Sequence, residues 1–219
     1  MNGHLLERRA QKIRNLIAKR QSHFTVILEN VRDPHNIGAV LRTCDAVGIR
    51  EVFLVYSDQR EKDRFVLGKR ASSGARKWVD VYEFDAIKTA VDTLRDKGYE
   101  QIWATRIVEG SKSLFELDLS RKVALLFGNE HLGVSDEAAA LVDGNFVIPQ
   151  VGMVQSLNIS VACAVSLYEG YRQRKLKGFY DDSPTLSPDE QQKMFEYYSS
   201  RELVRYKGKT AIRPPEIKP

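Results

Sequence analysis

Cysteine is scarce in this chain. Only Cys44 and Cys163 occur in 219 residues, and each sits inside an apolar helical pattern. That is too few for a disulfide framework, and the spacing suits no metal site. The pair reads as buried free thiols of a reducing, cytoplasmic compartment, with no metal expected. No apolar run approaches the ~18 uninterrupted residues of a membrane span, so no membrane partner is expected. The opening stretch, MNGHLLERRAQKIRNL, lacks the apolar core and cleavage site of a secretory signal. No G-x-G-x-x-G follows the first strand-like run, which makes a dinucleotide oxidoreductase a poor reading. No internal repeat is visible.

What is present is ordinary globular composition, 42% apolar and 29% charged. The length suits one main domain with extensions, or two small ones, and buries a sizeable core. A net charge of +5 is modest, but its distribution is informative. Arg8, Arg9, Lys12, Arg14, Lys19 and Arg20 form one basic group near the N-terminus. Lys69, Arg70, Arg76 and Lys77 form a second around Ser72-Ser73-Gly74. Arg172, Arg174, Lys175 and Lys177 form a third. Any single group could be a solvated surface, whereas three together suit a polyanion such as nucleic acid.

Taken in order, Leu5 to Arg20 has the pattern of a basic amphipathic helix. Phe24–Glu29 reads as a strand, Asp33-Pro34 as a break, Asn36 to Val47 as a helix ending at Gly48, and Glu51 to Tyr56 as a second strand. That succession is a βαβ unit. A short helix and loop are expected over 57–77. Strands follow at Trp78 to Phe84, Tyr99 to Arg106, Lys122 to Phe127 and Asn145 to Ile148, with helices at Asp85 to Lys97 and just after Ser135. The sum is an α/β protein with an open, mostly parallel sheet, whose ligands dock beyond the carboxyl ends of the strands. Gly178 to Pro188 reads as a linker, and a last helix opens at Ser187-Pro188 with Met194, Phe195, Tyr197, Tyr198 and Leu203 on its apolar side. The expected division is 1–22, a basic helical extension; 23–178, the main domain; and 179–219, a helical extension whose end, through Pro214-Pro215, frays.

Three stretches carry candidate chemistry. The first runs from Asn36 to Gly48 (NIGAVLRTCDAVG), where Asn36 either caps the helix or contacts a ligand and Arg42 is the obvious cation. In the second, Leu126 to Gly133 (LFGNEHLG), a strand enters a glycine turn carrying Glu130. The third, Ile148 to Glu169, passes through Pro149, Gly152, Ser156 and Asn158 and becomes apolar on most sides from Ile159. An all-round apolar helix is expected to be buried, with Ser156 or Asn158 capping its first turn. His35 and His131 adjoin these stretches without a nameable partner.

In this order and spacing, over roughly Phe24 to Gly170, the three stretches resemble the SpoU branch of the SPOUT RNA 2′-O-ribose methyltransferases. The likeness is greatest to its tRNA guanosine-18 group. The resemblance implies a C-terminal trefoil knot, an exception to the rule that chains do not thread. It also implies S-adenosyl-L-methionine held by loops around Thr105, around Gly128, and from Ile148 to Leu157. A homodimer would place Arg42 of one subunit near the cofactor of the other. Catalytic work is expected of Arg42, Asn36, Glu130, Ser156 and Asn158. The family model makes Arg42 the general base; a guanidinium, with a pKa above ~12, is better suited to clamping a phosphate and stabilising an alkoxide. Arg8, Arg9, Lys12, Arg20, Lys69, Arg70, Arg172 and Arg174 are the expected RNA contacts. The implied reaction is methyl transfer to a ribose hydroxyl of tRNA, most closely guanosine 18 of the D-loop. The alternatives are a ribosomal RNA methyltransferase of the same superfamily, and a non-catalytic RNA-binding module.

Overall fold

The computed structural model describes residues 7–57, 74–154, 156–181 and 185–205. The expectations for Leu5, Leu6, Lys69, Arg70, the side chain of Leu203, the residues through Pro214-Pro215 and most of the 57–77 segment lie outside them. Seven strands are described: β1 (Phe24–Glu29), β2 (Glu51–Val55), β3 (Asp80–Phe84), β4 (Gln101–Thr105), β5 (Lys112–Ser113), β6 (Val123–Phe127) and β7 (Gly144–Val147). They form one sheet in the order β3-β2-β1-β6-β4-β7-β5. Every pairing between these strands is parallel. β1, β2 and β6 are buried along their whole length. That is why FTVILE, EVFLV and VALLF show no alternation: a parallel sheet covered on both faces has no wet side.

The α-helices described are α1 (Glu7–Ala18), α2 (Pro34–Ala46), α3 (Ile87–Asp96), α4 (Asp136–Leu141), α5 (Ile159–Leu176) and α6 (Pro188–Arg205). On one face of the sheet, α2 and α5 cover a core that includes Val26, Leu28, Leu41, Cys44, Leu125, Phe127, Cys163 and Leu167. On the other, α3 presents Ile87, Ala90, Val91 and Leu94, the i, i+3, i+4, i+7 pattern, to Ile27, Phe53, Ala104 and Leu126. A third, smaller core joins α1 to α6 through Ile13, Ile17, Met194, Tyr197 and Tyr198. Asp80 fastens α6 to the sheet, its Oδ1 accepting from Tyr197 Oη at 2.7 Å and Arg201 Nη1 at 2.9 Å.

Four expectations need correction. α2 starts at Pro34, not Asn36: Asp33 is the cap, its Oδ1 accepting from His35 N at 2.8 Å. Pro34 therefore begins the helix rather than breaking the chain, as suits a residue with no N–H to leave unpaired. Asn36 is inside the helix and caps nothing.

α5 is buried on one face only. Ile159, Cys163, Ser166, Leu167, Gly170 and Arg174 pack inward, while Val161, Val165, Tyr168 and Leu176 are 37–77% exposed. The helix packs on the sheet by that face, and the described residues supply no layer for its far side. Gly170 lets it lie close, since a Cβ there would meet the Phe24 ring at 2.5 Å.

The 178–188 stretch is no loose linker where it is described. Tyr180 is buried and its hydroxyl donates to Val47 O at 2.7 Å, and Thr185 Oγ1 donates to Arg20 O at 2.8 Å.

Arg20 and Arg174, expected as RNA contacts, are wholly buried. Arg20 donates to Ile49 O, Trp78 O and Asp45. Arg174 donates to Leu119 O, His23 O, Arg121 O and Gln21, with its guanidinium over the Phe24 ring. Each joins chain segments far apart in sequence by donating to several backbone carbonyls.

Candidate active site

In the sheet β4 lies between β6 and β7, and all three run the same way. Their carboxyl ends therefore come out side by side. Thr105 ends β4, Gly128 follows β6, and Ile148 follows β7. The three segments expected to hold a cofactor thus emerge together at one edge, although they are separated by about twenty residues each in the chain. Thr105 Oγ1 donates across to Leu126 O at 3.3 Å and ties the β4 end to β6. Gly128 is at a close approach: a Cβ there would lie 2.2 Å from the Gly133 backbone. It closes a turn in which Asn129 and Gly133 exchange backbone hydrogen bonds of 2.9 Å.

That turn aims Glu130 at the start of α2. Glu130 Oε1 accepts from Asn36 Nδ2 at 3.0 Å and from Asp33 N at 3.4 Å, and Oε2 accepts from Arg32 N at 3.3 Å. Asn36 Oδ1 in turn accepts from Asn158 Nδ2 at 3.1 Å. Asn158 caps α5, its Oδ1 accepting from Ser160 N at 2.9 Å. Residues from all three sequence motifs are thereby linked in one hydrogen-bonded chain, Glu130–Asn36–Asn158. Each amide uses its oxygen and its nitrogen in different directions, which fixes both side chains. Ser156 is exposed just before the cap, and the cap itself is Asn158.

The third loop leaves apolar side chains in solvent. Val151 and Met153 are 108% and 99% exposed, and Val154 and Leu157 are also exposed. Several exposed apolar residues in succession mark a contact surface for something apolar.

Arg42 is elsewhere. It lies on the outer side of α2 and lines a cleft of about 240 Å³ with Arg9, Asp45, Lys77 and Trp78. Among the described residues, none of the loops after β4, β6 or β7 lines that cleft. On the inner side of the same helix, Cys44 packs in the core shared with Cys163 of α5, and burial pushes both thiols well above their ordinary range. They are packing residues.

The model of the SpoU rRNA Methylase family matches residues 23–168. The chain belongs to the SpoU methylase family. Among SpoU relatives, a tRNA (guanosine(18)-2′-O)-methyltransferase of Thermus thermophilus is 42% identical over 188 residues, 86% of this chain and 94% of the relative. One of the same description from Aquifex aeolicus is 34% identical over 206 residues, 94% and 95% of the two chains. The solved A. aeolicus TrmH/SpoU tRNA modifying enzyme is similar at a TM-score of 0.81 and 35% identity, over 90% of this chain and 97% of that one. The SpoU methyltransferase AviRb from Streptomyces viridochromogenes, solved in complex with the cofactor AdoMet, gives 0.60 and 26% over 69% of this chain and 57% of that one.

Within this SpoU chain, sequence reasoning overlooked two residues of the site. Asn129 donates to Asn30 O at 2.7 Å and accepts from His131 N and Leu132 N. Asp33 supplies the α2 cap. The signal for each was a short polar residue at a strand or helix boundary. Of the expected RNA contacts, Arg8, Lys12 and Arg172 are exposed and Arg9 is half-buried. Arg172 is held by Glu169 in a two-bond fork of 2.7 and 2.8 Å.

Proposed function

We propose that this chain transfers a methyl group from S-adenosylmethionine to a ribose 2′-hydroxyl of tRNA, with guanosine 18 of the D-loop as the target. The observation that carries this reading is the Glu130–Asn36–Asn158 chain. It joins the three motifs at the sheet edge where the loops after β4, β6 and β7 come out together. Those loops suit the methyl donor: the exposed apolar residues of 151–157 offer a surface for a purine, and Gly128 keeps the backbone close. Around Thr105, Gly128 and Ile148 to Leu157, the chain would hold the donor mainly by backbone groups.

When bound, S-adenosylmethionine supplies a methyl carried on a sulfonium, which needs only an aligned oxygen to accept it. The protein's share is therefore positioning. Glu130 and Asn36 hold the start of α2 against the β6 turn, Asn158 fixes the start of α5, and Ser156 faces the ribose. Arg42 clamps a substrate phosphate and stabilises the negative charge that develops on the ribose oxygen. Because Arg42 is outside the loop cluster of its own subunit, it reaches the reaction from the second subunit of a homodimer. The apolar stripe Val161, Val165 and Tyr168 on α5 supports that dimer. A trefoil knot fits the strand order: β6 lies between β1 and β4, β7 lies beyond β4, and α5 returns to pack on α2. Segments 1–22 and 179–219 act as extensions around the 23–178 catalytic domain, and a reducing cytoplasm suits the two free thiols. Arg8, Arg9, Lys12 and Arg172, with Lys69 and Arg70 outside the described residues, are the proposed RNA contacts. Arg20 and Arg174 are not among them.

The test is incubation with labelled S-adenosylmethionine and separate pools of tRNA and ribosomal RNA. Label in tRNA is expected. Label in ribosomal RNA alone would replace the substrate, and no label in either would leave a binding module. Arg42→Ala should abolish transfer while cofactor affinity, read by calorimetry, stays nearly unchanged; loss of both would overturn its role. Arg42→Lys should also fail, because an ammonium cannot form the two-bond fork.

A further inference from the structure

We propose that the cleft between α1, α2 and the turn at Ala75–Trp78 is a nucleotide subsite for single-stranded RNA. It would take one base against Trp78 and the adjoining phosphate between Arg9, Arg42 and Lys77. The proposal rests on the RNA reading above and deepens it, by naming where a nucleotide beside the target is held.

Size limits the occupant. At about 240 Å³, the cleft falls below the ~300 Å³ at which pockets for whole small ligands begin. It suits one flat ring with a phosphate at its mouth. Charge gives it a sign. Among the described residues three cations and one carboxylate line it, and that carboxylate, Asp45, is engaged by buried Arg20 at 2.9 Å. Cations outnumber carboxylates among those residues, and such an excess favours an anion. The aromatic wall gives it chemistry beyond charge. Trp78 is half-buried and held from behind, its ring 5.4 Å from Tyr198 in an edge-on contact and its carbonyl accepting from Tyr198 Oη and Arg20 Nη2. The indole is thus a fixed platform. Arg9 lies over it at 5.7 Å from ring to guanidinium carbon, near the ~6 Å limit of a cation–π contact. A base slid onto the indole would exchange that loose contact for stacking, with the guanidinium moving to the phosphate. An aromatic face beside cations is the arrangement that binds single-stranded nucleic acid with little dependence on sequence.

The cleft also gives the α1–α6 extension a task. Arg9 comes from α1, and Tyr198, behind Trp78, comes from α6. The extensions therefore build one wall of a site whose other wall carries Arg42.

Trp78 itself reports the outcome. The chain has two tryptophans, and Trp103 is only 9% exposed. In a Trp103→Phe protein, titration with a short single-stranded RNA oligonucleotide should quench the remaining fluorescence, whereas an abasic oligonucleotide of equal charge should not. Trp78→Leu should weaken oligonucleotide affinity about ten-fold, the usual scale for one lost stack. Trp78→Phe, which keeps an aromatic face and protects the fold, should recover most of it. Arg9→Gln and Lys77→Gln should each lower the slope of log affinity against log salt by about one. Quenching by the abasic strand equal to that by the intact one, or unchanged fluorescence when anisotropy shows the RNA bound, would overturn the subsite. Wild-type protein that quenches yet methylates no RNA would instead overturn the proposed reaction and leave the subsite standing.

Discussion

Arg174 and Arg8 look alike in the sequence, each a cation in a basic cluster, and the fold gives them opposite work. Arg8 is on the outer side of α1. Arg174 is wholly buried among the carbonyls of His23, Leu119 and Arg121, and burial lowers its pKa to about 10, which leaves it charged at neutral pH. Truncating it would strip the carbonyls of Leu119 and Arg121 of this donor, at ~1–3 kcal/mol for each one left unsatisfied. Arg174→Met should therefore cost more than about 3 kcal/mol, a large part of the ~5–15 kcal/mol that holds a domain folded. Arg8→Ala should stay within about 0.5 kcal/mol. Denaturant midpoints of the two variants check this, and similar values would refute the assignment of Arg174 to the interior. Nothing in residue type separates these two arginines, because burial of a guanidinium depends on which carbonyls the fold leaves unpaired.

At the scale of elements, the βαβ succession was legible because β1, β2 and β6 are short, largely apolar runs with Asn30, Gly48 and Gly128 at or near one end. The all-parallel sheet follows from strands that alternate with helices. β5 was not legible, since a two-residue strand carries no period. The flat seat of α5 was hidden for a different reason: an apolar face records that something covers it, without saying whether this chain or another does. The candidate site was read mainly from its motifs, and the structure adds the linkage. The turn from Gly128 to Gly133 is the element on which that linkage depends, so it can be tested through a single carbon. In Gly128→Ala the new methyl would meet the backbone of Gly133 and Val134 at 2.2–2.3 Å, and backbone cannot swing aside as a side chain can. Overpacking of this kind costs ~1–3 kcal/mol. The turn should open and draw Glu130 from Asn36, so methyl transfer should fall further than the loss of folded protein explains. Gly152→Ala, where nothing lies within 4 Å, should leave the melting temperature unchanged. Equal melting curves for the two variants would show that the Gly128 turn has room to spare.

For the whole molecule, the central question is why a complete set of motif residues is divided between two places on one subunit. Glu130, Asn36 and Asn158 gather at the strand ends, while Arg42, on the same helix as Asn36, lines a cleft that no described residue of the proposed donor loops reaches. On a helix, six residues are about 600° of rotation and 9 Å of rise, so Asn36 and Arg42 point well apart and no side-chain rotation unites them. A second copy can. α5 exposes Val161, Val165 and Tyr168, and their spacing of four and three keeps them on one helical face, as a symmetric self-contact requires. Complementation follows. Arg42→Ala removes the cation and leaves that subunit's donor loops intact. Leu157→Asp places a carboxylate on the donor loop and leaves that subunit's Arg42 intact. Each protein alone should be inactive. After mixing and subunit exchange, half the dimers are hybrids, and each hybrid pairs one sound loop set with one sound arginine. Activity should return to about a quarter of the wild-type value. A third protein, Arg42→Ala with Val165→Glu, should fail to rescue, because a carboxylate on the α5 stripe would prevent the hybrid from forming. Recovery with this third protein, or no recovery with the first pair under demonstrated exchange, would place Arg42 and the donor loops in the same subunit's reaction.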